Sequence, residues 1–444
     1  MGADAELACL PSDEDVGRIS QTCEPSDPPP APPQRVRAAV FFDGTGNNRT
    51  NSGAEPPLSA RLPLGSESYG NAPSNVAKGE ASMSRYPEVD NIGQSYYIEG
   101  VGTQTGGRDV PQGMIEGRGG TGVPAKMLKG LRQLVADAAS LDRSRPIEYV
   151  HIDTFGFSRG AAAARHFVHV ALHHPELNVM KQLTDRGFAV GVVRVTFVGL
   201  YDTVASYGFR HSNDTADLQL DAIRHAEYVF QLAAGEEHRK NFRLTDIQSA
   251  AAGRQVFLPG VHSDIGGGYV DNADEVDLQV VDLDWRGILR RREDLATLER
   301  ERQWLLAREW YHERELSEPN FSWEIIANRK GIRSTYSHLP LNMMADEARP
   351  RGVPFSDTLG VRHPVPSDPI VQRVRALIDE TIALGNERKD RSWQDYWLRL
   401  IDRNLGALRH KYLHMSSAHS LANSPHYTGH PSKGGVRRRV VQRG

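Results

Sequence analysis

The sequence predicts an α/β protein: a mainly parallel sheet with helices on both faces, followed by a helical extension. Three observations carry that expectation. Short apolar runs alternate with helix-like stretches between residues 36 and 275, the pattern that builds a parallel sheet. The first of those runs, Val36 to Phe42, suits a buried parallel strand and ends in a segment that is turn-forming throughout. Beyond residue 275 the composition turns strongly charged, with helical spacing of its apolar residues.

Residues 1–34 are acidic and proline-rich, ending in Pro28-Pro-Pro-Ala-Pro-Pro33, and read as a disordered leader. Val36-Arg-Ala-Ala-Val-Phe-Phe42 suits a buried strand and breaks at Asp43-Gly-Thr-Gly-Asn-Asn48. Residues 50–92 have little periodicity and read as a long loop or lid. Ser95-Tyr-Tyr-Ile98 reads as a second strand. Val123, Met127, Leu128, Leu131, Leu134 and Val135 then mark one face of a helix. Glu148 to Phe155 is a strand, and Ala161-Ala-Ala-Ala-Arg-His opens a helix. Val192 to Tyr201 is a further strand, Leu218–Ala233 a helix-like segment, and Gln255-Val-Phe-Leu258 another strand. The catalytic core is thus expected over 36–275. A helical extension is expected over 276–415, with stripes such as Ile370, Val371, Val374, Leu377, Ile378 and Ile382, and a further helix from Trp393 to Leu413. Residues 416–444 read as a basic flexible tail, five basic residues falling between Lys433 and Arg443.

Composition narrows the function. A net charge of −3 argues against general nucleic-acid binding. The two cysteines, Cys9 and Cys23, sit in the leader and offer neither a disulfide framework nor zinc spacing. No run approaches the roughly 18 apolar residues that span a bilayer. The opening Met-Gly-Ala-Asp-Ala-Glu-Leu lacks the layout of a secretory signal, so synthesis and residence in the cytoplasm are expected.

Chemistry concentrates at Gly156-Phe-Ser-Arg-Gly160, between a strand and a helix. That context suits a nucleophile elbow, in which a tight turn lifts the Ser158 hydroxyl above the sheet edge while the helix N-terminus faces it. An activated serine needs a base, and the base needs an acid to fix its tautomer. In α/β-hydrolases they follow in the order Ser, Asp/Glu, His, each at a strand end. Asp202 follows the strand ending at Tyr201. His262 lies just past Leu258, in Pro259-Gly-Val-His-Ser-Asp-Ile-Gly-Gly-Gly-Tyr269. Each residue also has a plainer reading: Asp202 as a helix N-cap, His262 as an exposed turn residue. Asp264 competes with Asp202 for the acid, although a structural role on the glycine loop suits it better. His166, on the helix after the elbow, competes less well for the base. The oxyanion hole is expected from the Arg159 amide with that of Gly44 or Thr45, and Asp43 is assigned to orienting that loop. No cofactor is expected. Gly117-Arg-Gly-Gly-Thr-Gly122 lacks the Gly-Lys-Ser/Thr of a phosphate loop, and a metal among Asp43, Asp153, Asp202 and Asp264 is a weak alternative.

Four segments together, Phe42 to Asn48, Gly156 to Ala161, Gly199 to Ser206 and Pro259 to Tyr269, carry a resemblance. They resemble the α/β-hydrolase domain family that includes phospholipase effectors of bacterial type VI secretion, and Leu408-Arg-His-Lys-Tyr-Leu-His-Met-Ser416 is a fainter echo. The resemblance implies a Ser158, Asp202, His262 triad that hydrolyses glycerophospholipid esters of a membrane substrate. It further implies a toxin against rival bacteria, carried on a secretion-spike protein to the target periplasm and matched by an immunity protein. Larger effectors carry a long membrane-anchoring portion, which the residues after 275 are too few to match. Two other readings stay open: an esterase or amidase acting on a non-lipid substrate, and a non-catalytic adaptor on a hydrolase fold.

Overall fold

The computed structural model describes residues 31–61, 65–89, 92–205, 215–282, 292–319, 324–383, 405–418, 423–429 and 434–444. Residues 1–30 of the expected leader, 283–291 of the expected extension and 393–404 of its last expected helix lie outside them. The strands are β1 (Gln34–Phe42), β2 (Ile92–Ile98), β3 (Ile147–Phe157), β4 (Val190–Tyr201) and β5 (Val229–Ala234). Then come β6 (Leu244–Thr245), β7 (Gly253–Leu258), β8 (Ala273–Asp282), β9 (Glu324–Ile332) and β10 (Val441–Gln442). Six of them form one sheet in the order β2-β1-β3-β4-β5-β7. Every pairing in it is parallel, so all six C-terminal ends lie along one edge.

Residue alternation on β1 explains the layers. Val36, Ala38, Val40 and Phe42 face one core, shared with helices α1 (Val123–Ala138) and α2 (Arg159–His173). Ala39 and Phe41 face the other, where Phe41 stacks on Phe155 with ring centroids 4.4 Å apart. Helix α1 is preceded by Gly122 as its N-cap, has a proline in its first turn and buries Met127, Leu131, Leu134 and Val135. The four alanines Ala161–Ala164 of α2 are fully buried, small enough for that helix to lie close on the strands.

The segment expected as a helix over Leu218–Ala233 is instead a short 3-10 turn, Leu220–His225, followed by strand β5. All six residues of β5 are buried between β4 and β7, so they show no two-residue alternation, and the alanines bias a local reading toward helix. The region after 275 contains α4 (Arg292–Ala307), α5 (His338–Ala348), α6 (Pro369–Ala383) and α7 (Gly406–Tyr412), preceded at the end of the core by the one-turn α3 (His262–Gly266). It also holds the antiparallel pair β8 and β9, whose partly exposed, charged residues hid a strand from the apolar pattern. Over 434–444 the chain expected to be a flexible tail is packed. Arg437 and Arg439 are buried, and β10 pairs in parallel with β6. No helix among the described residues is long and apolar enough to cross a membrane.

Candidate active site

Strand β3 runs into Ser158, whose backbone is held at φ 59° and ψ −126°. A side-chain-bearing residue rarely adopts that conformation, and the surrounding backbone imposes it. The Ser158 carbonyl accepts from the amides of Ala161 and Ala162 at 3.1 and 3.3 Å, and its own amide donates to Tyr201 O at 3.0 Å. The flanking glycines do not themselves take the unusual angle. They are needed for room. A Cβ on Gly160 would stand 2.2 Å from Asp43 O and 2.3 Å from Phe42 O; one on Gly156 would stand 2.4 Å from Gly160 O. The elbow is therefore a place where backbone lies on backbone.

Asp202 follows β4 with φ 47° and is fully buried. Its Oδ1 accepts the Ala234 amide at 2.8 Å, while Oδ2 lies 2.6 Å from His262 Nδ1. That contact puts the proton on Nδ1 and leaves Nε2 as the basic nitrogen. The His262 ring packs on Phe157, the residue before Ser158, at 4.6 Å between centroids, and meets the edge of Phe242 at 5.0 Å. Burial lowers the His262 pKa, against the pull of Asp202, so the imidazole is neutral at pH 7. Burial alone would raise the Asp202 carboxyl, but Arg439 and His262 outweigh it and hold that group below its ordinary value.

The other predicted residues fall around this centre. Asp43 is buried at the end of β1 and accepts from Tyr97 Oη at 2.6 Å and from the Gly44 amide at 2.7 Å. The Gly44 amide is thus taken up by its neighbour. The amides of Thr45 and Arg159 donate to no other described residue. Arg159 spans the site, its Nε donating to Thr45 Oγ1 at 2.8 Å and its other nitrogens reaching the carbonyls of Met114 and Ile115. Burial pushes its guanidinium down to about 10. Asp264 is turned away from His262: Oδ2 accepts the Val261 amide at 3.0 Å and Oδ1 meets His414 Nδ1 at 2.8 Å. His166 contacts Leu218 O at 2.8 Å, and burial takes it down to about 4. Asp153 bonds Arg37 and Tyr86, so Asp43, Asp153, Asp202 and Asp264 each serve a different partner set.

Comparison with known proteins bears on this arrangement. The family model of the catalytic domain of Tle1-like phospholipase effectors of type VI secretion matches residues 37–174 and 173–286, more than half of the chain. The chain belongs to this family. It is thereby a lipid ester hydrolase by descent. No curated protein matches. Among solved structures, the Tle1 effector bound to the VgrG spike of the type 6 secretion system is similar in fold, with a TM-score of 0.60 at 20% identity, over 93% of this chain and 95% of that one. An uncharacterized protein from Pseudomonas aeruginosa is matched at 18% identity and a TM-score of 0.43, over 79% of this chain and 51% of that one.

In this Tle1-like domain the loop that bears His262 is braced by residues that sequence reading passed over. Glu237, fully buried after β5, accepts the His262 amide at 3.2 Å, two Arg239 nitrogens at 3.0 and 2.9 Å, and Ser416 Oγ at 3.0 Å. Burial would raise its carboxyl, yet Arg239, Arg439 and His262 bring it far below the ordinary range. Glu236 accepts the Gly260 amide at 3.1 Å and Arg409 Nε at 2.6 Å. Reading β5 as a strand would have flagged both glutamates, since they sit at its end. Arg409, His414 and Ser416 all belong to the segment Leu408–Ser416, the fainter part of the resemblance.

Proposed function

We propose that the protein is a serine hydrolase of phospholipase A type, with Ser158 as nucleophile, His262 as general base and Asp202 as the residue that orients and charges against it. The Asp202–His262 contact of 2.6 Å beside a strained strand-end serine is the observation that carries the reading. His262 Nε2 takes the Ser158 proton as Oγ attacks the ester carbonyl carbon. Negative charge moves to the carbonyl oxygen, where the free Arg159 and Thr45 amides donate to it. Collapse breaks the bond to the glycerol oxygen, which leaves with the proton from His262 as a lysophospholipid. Water, deprotonated by the same imidazole, then attacks the acyl-serine; the fatty acid departs and Ser158 regains its proton.

The substrate is a glycerophospholipid of a rival cell's membrane, met in the periplasm. A spike protein of the kind that binds the Tle1 effector in its solved structure is the proposed carrier, and an immunity protein protects the producer. Lipid mass spectrometry on phospholipid vesicles, with wild-type and Ser158→Ala protein, tests the reading. Lysophospholipid and fatty acid are expected from the wild type alone. Turnover by Ser158→Ala above about a thousandth of the wild-type rate overturns the nucleophile assignment.

A further inference from the structure

Arg439 is fully buried, although it belongs to the basic run Arg437-Arg-Arg439. Its Nη2 donates to Asp202 Oδ2 at 3.0 Å, the same oxygen that faces His262 Nδ1. Nη1 donates to Ala234 O at 2.9 Å, and Nη2 also reaches Phe242 O at 3.2 Å. One guanidinium thus joins the end of β4, the end of β5 and the residue whose ring faces the imidazole. We propose that Arg439 is a positioning residue for the Asp202–His262 pair, set in place by docking of β10 onto β6. The inference rests on the triad reading above.

The charge balance explains why an arginine is there. The charged groups facing His262 are Asp202 after β4 and Glu237 and Arg239 after β5, with Arg439, next to β10, behind Asp202; Asp264, on its own helix, is engaged by His414. Two carboxylates then meet two guanidiniums, and the imidazole between them stays neutral. Without Arg439 the group is left with one excess negative charge, which favours the imidazolium and removes the base near neutrality. The Asp202 carboxylate also loses one of the bonds that fix its plane. A buried arginine is costly unless paired, and Asp202 is the carboxylate that Arg439 touches.

The docking that places it is local and specific. Leu244 N donates to Val440 O at 2.9 Å and Asp246 N to Gln442 O at 3.0 Å, while Gln442 Nε2 reaches Thr245 Oγ1 at 3.2 Å. Two residues earlier, Arg437 bonds Glu301 and the Val280 carbonyl at 3.0 and 2.8 Å. Arg439 is thereby held from both sides.

The test compares Arg439→Met and Arg439→Lys with wild type in the full chain, on vesicles of phosphatidylethanolamine and phosphatidylglycerol. The methionine variant is expected to lose about 10- to 100-fold in kcat with KM little changed, as supporting residues of a reactive group do. The acid limb of its kcat/KM profile moves to higher pH, and the far-downfield proton resonance of His262 Nδ1 shifts. Lysine restores the limb and part of kcat. An unchanged limb and resonance, or a full wild-type kcat, overturns the proposal. If both variants lose activity only in step with folded structure, the role is structural and the proposal also falls. Ser158→Ala run in parallel separates the two readings: its survival sinks the triad, whereas an inactive Ser158→Ala beside a fully active Arg439→Met sinks this inference alone.

Discussion

On the Ser158 side of the site, order comes from backbone lying against backbone; on the His262 side it comes from buried charge. Gly160 sits where a methyl group would meet the Asp43 and Phe42 carbonyls at 2.2 and 2.3 Å, and no ion pair is needed to hold the turn. The His262 loop rests on a side chain rather than on strand backbone: a Cβ on Gly266 would run into the Phe157 ring at the end of β3. It is fastened by Glu236, Glu237 and Asp264, which draw in Arg409, Arg239 and His414. The proposed roles account for the difference. A nucleophile at a strand-to-helix turn is fixed once the turn is formed. A base on a glycine-rich loop needs its position, tautomer and charge set from outside, and polar groups far along the chain supply all three.

Glu237→Gln probes the charged side most severely. The amide keeps the shape but leaves the largely buried Arg239 guanidinium without its counter-charge, and breaking such a pair costs up to about 3–5 kcal/mol. Arg239 lies 3.3 Å over the Phe242 ring, which itself meets His262, so kcat is expected to fall along with the denaturation midpoint. Chemical denaturation and vesicle kinetics on the same preparation check both. A midpoint within error of wild type breaks the contrast drawn between the two sides.

Gly160→Ala probes the packed side. One methyl group must push α2 away from the end of β1, an overpacking cost of about 1–3 kcal/mol. Moderate salt is expected to leave that loss unchanged, because no charge is involved. A salt-dependent loss in urea melts would show that the elbow also depends on electrostatics.

These two sides were not equally legible in the sequence. Gly156-Phe-Ser-Arg-Gly160 announces itself within five residues, and Asp202 and His262 stand out because each follows an apolar run at a strand end. The parallel sheet was readable for the same reason. The charged brace was not, because its partners lie far apart in sequence. Arg439 meets Asp202 across 237 residues and Arg409 meets Glu236 across 173, and no local pattern encodes such pairs. Strand β5 was lost to its alanines and complete burial, which erase the alternation that identifies a half-buried strand. With β5 misread, the glutamates at its end had no strand end to mark them.

The mildest change to impose is pH, and its sign follows from the burial of His262. Its folded-state pKa lies below the ordinary 6.5, so the neutral base persists through neutrality. The acid limb of kcat/KM is therefore expected below pH 6.5, with activity flat above it until another group titrates. Stability follows the same direction. A buried histidine that resists its proton favours the folded state while the unfolded chain is also neutral, above 6.5; the advantage is lost as pH falls from there through the folded pKa. Asp202 acts in the same sense lower down, since its depressed pKa contributes stability above the ordinary carboxylate value and loses it as pH falls through the folded one. Stability should thus begin to decline first on acidification, from about the ordinary histidine value, and activity should follow as the pH reaches the lower folded-state pKa of His262. An acid limb above pH 6.5 would mean that the carboxylates around His262 prevail over its burial, and the charged side would then hold an imidazolium rather than a base.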